Sequence, residues 1–252
     1  MLEIKHASFW DEVSHLQDAS IDLVCTDPPY MTYASRGAGR VKEDVEIQGV
    51  FADKDFERFA HEVFRLLKWE RHIYVYTQAG KPYTLTYNGL CAAGFRYNQT
   101  LVWTKINFTK TGNYYQTYPA QTELIIFAEK TQLGEGRRKL NGRVHSNLLS
   151  EFASVPSERM VHPTQKPVGL NRFLIERSTN EGELVFDPFL GSGSSAFACR
   201  GIGRSYLGYE IEEKYLKQIA FHLGVSMKGG IIRKETQGLS GSDTKSDPIE
   251  RE

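Results

Sequence analysis

Short apolar runs alternate with amphipathic stretches along most of this chain. The runs have the length and composition of buried strands, whereas the stretches repeat apolar residues at helical spacing. The predicted strands are residues 21–26, 73–77, 101–104, 124–128, 183–186 and 206–211. The predicted helices are residues 53–68, capped by Asp53, and residues 81–93, 167–178, 193–200 and 212–223. This alternation predicts an α/β fold with a mostly parallel sheet and helices on both faces.

The overall charge of the chain argues neither for nor against a nucleic-acid partner. The 252-residue chain has 31 Lys and Arg against 31 Asp and Glu, so any nucleic-acid surface has to be a local patch.

The three cysteines include no Cys-x-x-Cys pair, which disfavours a zinc framework and gives no metal site. Neither a signal peptide nor a bilayer-spanning apolar stretch is found, so we expect a cytoplasmic protein without a membrane partner.

A glycine-rich turn follows the predicted strand at 183–186. Residues 187–194 read Asp-Pro-Phe-Leu-Gly-Ser-Gly-Ser, and Glu210 lies at the end of the next predicted strand. Glycines let the backbone approach a ligand, and a carboxylate after the next strand can accept hydrogen bonds from a ribose diol. The motif predicts a nucleoside cofactor held by Asp187, Phe189, Gly191, Gly193, Ser194 and Glu210.

Two features favour S-adenosylmethionine over NAD as this cofactor. Only 42 residues follow Glu210, so a second dinucleotide-binding half does not lie downstream. The carboxylate of Asp187 would repel a pyrophosphate, whereas it would attract a ligand that carries an ammonium and a sulfonium.

A second motif, Asp27-Pro28-Pro29-Tyr30, follows the predicted strand at 21–26. The exocyclic amine of a nucleobase is a poor nucleophile because its lone pair is delocalised into the ring. The carboxylate of Asp27 and the carbonyl of Pro28 can accept its two N–H groups and orient it. Tyr30 offers a face on which a flipped base can stack. We therefore predict that all four residues are catalytic, although a single Asp-Pro is more often only a rigid turn.

Together these motifs resemble those of the amino-group DNA methyltransferases, which modify N6 of adenine or N4 of cytosine. Their order, with the catalytic tetrapeptide first, is similar to the permuted β group of that family. The resemblance implies a Rossmann-like sheet in circularly permuted methyltransferase order, with a small target-recognition insertion. Residues 162–167, His-Pro-Thr-Gln-Lys-Pro, match the block that resumes the cofactor half. The resemblance places Thr164 and Lys166 near the methionine end of the cofactor.

The same resemblance divides the chain into parts. Residues 1–105 correspond to the catalytic half, 106–161 to the recognition insertion and 162–225 to the cofactor-binding half. Residues 226–252 contain few apolar side chains, and this composition predicts a disordered tail. One departure is Ala7-Ser8, where family members often have Gly-Asp, so this chain lacks the Asp from which the resemblance implies a cofactor contact.

Aromatic and basic side chains are concentrated in the predicted recognition insertion. Aromatic rings can stack on unpaired bases, and Arg or Lys can hold phosphates, although each residue alone is more typical of a solvated loop or a hairpin core. A loop at residues 31–44 is expected to close over the target base. The predicted DNA contacts are Arg36, Arg40, Lys105, Lys110, Tyr114, Tyr115, Arg137, Arg138 and Lys139.

The predicted function is transfer of a methyl group from S-adenosylmethionine to N6 of adenine in a specific sequence of double-stranded DNA. N4-cytosine methylation stays the main alternative, because the tetrapeptide specifies an amine and only favours adenine. Methylation of RNA or of protein amides and NAD-dependent oxidation are the remaining alternatives. The resemblance points to a bacterial or phage enzyme and is compatible with a homodimer and with a cognate restriction endonuclease.

Overall fold

One large sheet organises the protein. In the computed structural model, residues 1–29, 51–105, 121–132, 137–152 and 165–234 are described. Their strands are β1 (Leu2–His6), β2 (Ile21–Thr26), β3 (Leu67–Thr77), β4 (Arg96–Thr104), β5 (Thr122–Lys130), β6 (Leu148–Leu149), β7 (Leu184–Asp187), β8 (Ser205–Glu210) and β9 (Ile231–Lys234). Within the described ranges they form a single nine-stranded sheet in the order β6-β4-β5-β3-β2-β7-β8-β1-β9.

The sheet is mostly parallel, as predicted. The central run β3-β2-β7-β8-β1 is parallel throughout, and β4 and β6 are parallel as well. Among the strands of the described ranges, only β5, against β3 and β4, and β9, against β1, pair antiparallel. Because β2 lies between β3 and β7, strands from the first and last thirds of the chain are neighbours in one sheet.

Helices cover both faces of this sheet. They are α1 (Phe9–Glu12), α2 (Asp53–Leu66), α3 (Lys81–Ala93), α4 (Val168–Ser178), α5 (Ser194–Gly201) and α6 (Glu213–Leu223), with one 3-10 turn at Val13–His15. The pleat of β2 sends Leu23 and Cys25 into a core with α4, α5 and α6, while Val24 enters a second core with α1, α2 and α3. This two-sided burial explains why β2 is apolar along most of its length.

Several boundaries differ from the sequence prediction. β3 and β4 begin several residues earlier than predicted, and the side chains at 68–71 and 96–100 are exposed or only partly buried. The N-cap of α2 is Ala52 rather than Asp53, and the carboxylate of Asp55 accepts a hydrogen bond from the Ala52 amide at 2.8 Å. β1 was not predicted, because five residues with only two buried apolar side chains are a weak signal.

The predicted tail contains ordered structure. β9 lies within residues 226–252 and pairs with β1, and Ile232 is completely buried in this pairing. Composition does not reveal such a strand, because its partner lies about 230 residues earlier in the chain. None of the helices in the described ranges is long and apolar enough to cross a bilayer.

Candidate active site

The two motifs meet at the carboxyl edge of the sheet. Asp27 directly follows β2 and Asp187 ends β7, and these strands are parallel neighbours with Val24 opposite Phe186. The hydroxyl of Thr26 donates to Asp187 Oδ1 at 2.7 Å across 161 residues of sequence. In an open parallel sheet this edge is where ligands bind.

Asp187 is a buried carboxylate with three donors around it. Besides Thr26, the Ser195 hydroxyl donates to Oδ2 at 2.6 Å and the Phe189 amide to Oδ1 at 3.1 Å. Burial raises the pKa of Asp187 to about 6, since desolvation outweighs these hydrogen bonds and the nearby carboxylate of Asp27 adds to it. The carboxylate is therefore fixed in place at a high electrostatic cost, as expected for a group that meets a cationic ligand.

The glycine turn is tied to Glu210. The Gly191 amide donates to Glu210 Oε2 at 2.7 Å, and the Glu212 amide donates to Oε1 at 2.8 Å. Burial raises the pKa of Glu210 to about 7 despite these bonds. Gly193 precedes α5 with a φ of +81°, and a Cβ there would lie 2.8 Å from Ile219. Oriented carboxylates beside a glycine turn fit a ligand that carries hydroxyl and cationic groups.

Lys166 lies between the two predicted halves of the site. Its ammonium contacts Asp27 Oδ2 at 2.6 Å and Glu123 Oε2 at 3.1 Å, and it lies 5.4 Å from the ring centre of Tyr76. Burial alone would lower the pKa of Lys166, but the two carboxylates outweigh it and raise the pKa above its usual value. The sequence predicted only a cofactor contact for Lys166, whereas the structure also pairs it with Asp27, the carboxylate predicted to be catalytic.

Glu123 was missed by the sequence analysis. It is the second residue of β5, it is 8% exposed, and it forms ion pairs with both Lys166 and Lys105. Burial would raise the pKa of Glu123, but the two lysines lower it below the usual value. A lone Glu at the start of an apolar strand gives little indication of a site, because a strand end is often solvated.

Asn171 was also missed, although it connects three elements beneath the site. Its side-chain oxygen accepts from the Tyr76 hydroxyl at 2.9 Å, and its amide donates to the Ser194 hydroxyl at 3.0 Å. Asn171 lies on α4, Tyr76 on β3 and Ser194 at the start of α5. The contacts fix both helices against the sheet, and the only signal in the sequence is a polar residue on the apolar side of a helix.

The remaining predicted residues of the two motifs are placed as follows. Pro28 is buried, and the carbonyl of Pro29 accepts from the Phe51 amide at 2.8 Å. Phe189 is half-buried and packs against Phe51 and Phe9, with ring centres 5.2 and 5.6 Å apart. Outside the described residues lie Tyr30, Arg36, Arg40, Lys110, Tyr114, Tyr115 and Thr164.

The comparison with protein families agrees with this geometry. A family model described as DNA methylase, of the N6/N4 type, matches residues 21–221, which include both motifs and the strands between them. The chain belongs to the DNA methylase family.

Curated relatives of this methylase are Type II methyltransferases and similar enzymes. M.HpaI of Haemophilus parainfluenzae is 26% identical over 95% of this chain and 79% of the relative. M2.MboI of Moraxella bovis is 31% identical over 82% of each chain. YhdJ of Escherichia coli, a DNA adenine methyltransferase, is 27% identical over 94% of this chain and 90% of the relative.

Solved structures share the fold of the methylase. A complex of M1.HpyAVI with SAM has a TM-score of 0.66 at 21% identity and covers 88% of this chain and all of that one. The cytosine-N4-specific PvuII methyltransferase has a TM-score of 0.68 at 18% identity, over 86% of this chain and 84% of that one. At these identities the likeness concerns the fold alone.

The basic cluster of the predicted recognition insertion, residues 137–139, lies at the edge of the sheet opposite Asp27 and Asp187. β5 runs between the two edges. Glu123 lies at the carboxyl edge that carries Asp27 and Asp187, called the catalytic edge below, and Glu129, opposite His72, lies towards the other. Arg137 contacts Glu129 at 2.6 Å, and Arg138 donates two hydrogen bonds to Glu183, at 3.0 and 2.7 Å. The structure therefore does not bring Arg137 and Arg138 to the catalytic edge.

Two other predicted DNA contacts are described. Lys105 lies at the catalytic edge, one residue after β4, and is partly exposed. Lys139 is exposed and follows Arg138 in the basic cluster. Of the described candidates, the structure thus brings only Lys105 close to Asp27, through Glu123 and Lys166.

Proposed function

We propose that this DNA methylase transfers a methyl group from S-adenosylmethionine to the N6 amine of adenine in double-stranded DNA. The proposal rests mainly on one contact: the hydroxyl of Thr26, the residue before Asp27, donates a hydrogen bond to Asp187 on the neighbouring strand. This contact puts an amine-binding motif beside a cofactor turn. When bound, S-adenosylmethionine supplies an electrophilic methyl group on a sulfonium, and the amine nitrogen attacks it in line.

The cofactor half of the site orients the ligand and provides carboxylates that attract its positive charge. Glu210, already oriented by the Gly191 and Glu212 amides, accepts hydrogen bonds from ribose hydroxyls. The buried carboxylate of Asp187 favours a positively charged ligand at the end of β7. Phe189, Gly193 and Ser194 line the turn, while Thr164 and Lys166 hold the methionine end. These residues fit the chemistry of S-adenosylmethionine.

The tetrapeptide orients the target base. Asp27 accepts one N–H of the amine and the Pro28 carbonyl accepts the other, which localises the nitrogen lone pair and aligns it with the methyl group. Pro29 stiffens the turn, and Tyr30 stacks on the flipped base. The nitrogen gains one bond to carbon, the carbon–sulfur bond breaks, and the nitrogen then releases one proton. This direct route involves no covalent enzyme intermediate.

Adenine is favoured over cytosine by the tetrapeptide and by a relative that is named a DNA adenine methyltransferase. Type II relatives support a further proposal, that the enzyme modifies the sites of a restriction system in a bacterial cytoplasm. A cognate endonuclease would be its partner there. The proposed DNA contacts are Arg36, Arg40, Lys110, Tyr114, Tyr115 and Lys139, whereas Lys105 is engaged by the Glu123 carboxylate. We also propose a homodimer, which light scattering of the purified protein tests.

The decisive experiment identifies the modified nucleoside. The purified protein is mixed with methyl-labelled S-adenosylmethionine and unmethylated double-stranded DNA, and the DNA is digested and separated. We expect label in N6-methyladenine. Label in N4-methylcytosine would overturn the adenine assignment, and label only in RNA or protein substrates would overturn the proposed DNA target.

A variant at Asp27 tests the mechanism. Asp27→Ala removes the acceptor for the amine, so we expect methyl transfer to fall by at least about 100-fold, the loss typical of a misplaced reacting group. Binding of S-adenosylmethionine, measured by calorimetry, should persist because the Asp187 and Glu210 carboxylates remain. Methyl transfer at the wild-type rate in Asp27→Ala would contradict the mechanism.

A further inference from the structure

A line of four alternating charges leads from the catalytic carboxylate to the end of β4. Asp27 Oδ2 lies 2.6 Å from Lys166 Nζ, which lies 3.1 Å from Glu123 Oε2, and the other oxygen of Glu123 pairs with Lys105. We call Asp27, Lys166, Glu123 and Lys105 the charge chain. Its two central side chains are almost buried, at 7% and 10% exposure for Lys166 and Glu123.

Stability alone does not account for this arrangement. A buried ion pair gains little net free energy, because desolvation offsets the attraction, and apolar side chains of the same volume are often as stable. Well-placed buried charges do restrict where their partners point. Here the restricted partner is Asp27, the residue expected to orient the target amine.

The elements that carry the charge chain are rigid. Glu123 lies in β5, directly opposite Trp103 of β4, and Lys105 is held next to it because its amide donates to the Gln121 carbonyl at 2.8 Å. Lys166 comes just before α4, which Asn171 fixes to β3. Glu123 therefore holds the Lys166 ammonium from the strand side while Asp27 holds it from the motif side.

We propose that Glu123 is a positioning residue for methyl transfer: with Lys105 beside it, it fixes Lys166, and Lys166 fixes the carboxylate of Asp27. This inference rests on the proposed function and adds two residues to it that lie in none of the motifs. Glu123 touches neither substrate nor cofactor in this scheme. It acts through Lys166.

The charge-removing variant Glu123→Gln gives the primary test. Loss of one negative charge frees Lys166 to move, so we expect kcat to fall by about 100-fold, as for a misplacement of about 1 Å at a reacting group. The KM for S-adenosylmethionine should stay the same or fall, because the site becomes more positive where the methionine carboxylate is expected. A purely structural role would instead raise both KM values and lower the melting temperature together.

Two further variants sharpen the test. Glu123→Asp keeps the charge, and it should recover a large part of the kcat lost in Glu123→Gln. Glu129→Gln makes the same change in the same strand at the opposite edge, so its kcat should equal that of the wild type even if its melting temperature falls. Equal loss of kcat in Glu129→Gln would overturn the inference.

Lys105→Met tests the outer end of the charge chain by changing a partly exposed side chain, since the Lys105 side chain is 33% exposed. We expect a lower kcat, no change in KM for DNA, and no further loss when the change is added to Glu123→Gln, because Lys105 acts through Glu123. A higher KM for DNA with an unchanged kcat would overturn the positioning role of Lys105 and make it a phosphate contact.

The outcomes separate this inference from the proposed function. An inactive wild type would overturn the proposed function itself. An active wild type and an inactive Asp27→Ala, together with a folded Glu123→Gln at wild-type kcat, would overturn the inference alone. If Glu123→Gln fails to fold, Lys105→Met carries the test, and a wild-type kcat in that variant would overturn the inference.

Discussion

At the scale of single residues, the site is built from buried carboxylates whose charges the fold only partly stabilises. Asp187 accepts hydrogen bonds from Thr26, Ser195 and Phe189, yet burial keeps its pKa near 6 rather than the ordinary 3.8. A carboxyl pKa that is raised on folding stabilises the protein fully at pH values below 3.8, and this contribution is lost as the pH rises through about 6. At neutral pH, the ionised carboxylate of Asp187 therefore lowers the stability of the folded protein.

Asp187→Asn should show this cost directly. The amide removes the charge, keeps an oxygen for Thr26 and Phe189, and can donate to Ser195. Two pKa units correspond to about 3 kcal/mol, so we expect a more stable protein at pH 7 to 8, by up to about that amount. The gain should disappear at pH 4, as urea titrations at several pH values would reveal, and methyl transfer should be lost. A variant less stable than the wild type at pH 8 would contradict the argument.

At the scale of elements, the start of α5 depends on close backbone packing. Gly193 has a left-handed φ of +81°, and a Cβ at this position would meet Ile219 Cγ1 of α6 at 2.8 Å. A side chain in the left-handed region costs about 1–2 kcal/mol, and overpacking costs a further 1–3 kcal/mol. Gly193 therefore serves both the glycine turn and the close packing of α5 against α6.

The pair Gly193→Ala and Gly201→Ala isolates this requirement. Both residues belong to the same helix and its cap, but a Cβ on Gly201 meets no atom within 4 Å. We expect Gly193→Ala to lower the free energy of unfolding by about 2 kcal/mol or more, and Gly201→Ala to leave it unchanged or slightly higher. Equal urea midpoints for the two variants would contradict the packing argument.

At the scale of the whole molecule, the two edges of the sheet carry different charge networks. The catalytic edge has the charge chain, while the opposite edge joins β2, β3 and β7 through Asp22, Arg71, Glu183 and Arg138. Burial would raise the pKa of Asp22, but Lys68, the Leu184 amide and Arg71 lower it below its usual value. Its contribution to stability is therefore present above pH 3.8 and is lost as the pH falls through the lowered pKa.

Arg138→Gln distinguishes a structural network from a DNA contact. Glu183 keeps Arg71 as a partner, so we expect a loss of about 1–3 kcal/mol in stability, with kcat and KM for DNA unchanged. The neighbouring change Lys139→Gln, on an exposed side chain, should alter stability by less than about 0.5 kcal/mol. If Arg138 held a phosphate, the salt dependence of DNA binding would weaken by about one unit of slope in Arg138→Gln.

The sequence by itself determined those parts of the protein whose signals are local. Apolar runs, helical spacing and the Pro and Gly turns predicted most strands, all the longer helices, the parallel sheet and both motifs at its carboxyl edge. Each of these depends on residues a few positions apart, because strand and helix periodicity and turn geometry are short-range properties.

Only the tertiary structure decided which distant residues meet. The Asp27–Lys166 pair spans 139 residues and the Tyr76–Asn171 bond spans 95, and no local pattern records such contacts. For the same reason β9 was not predicted, because its burial depends on β1. The partners of Arg137 and Arg138, Glu129 and Glu183, likewise place these two residues at the edge of the sheet opposite the predicted one. The role of a charged side chain depends on its partner, and the tertiary fold determines which partner lies within reach.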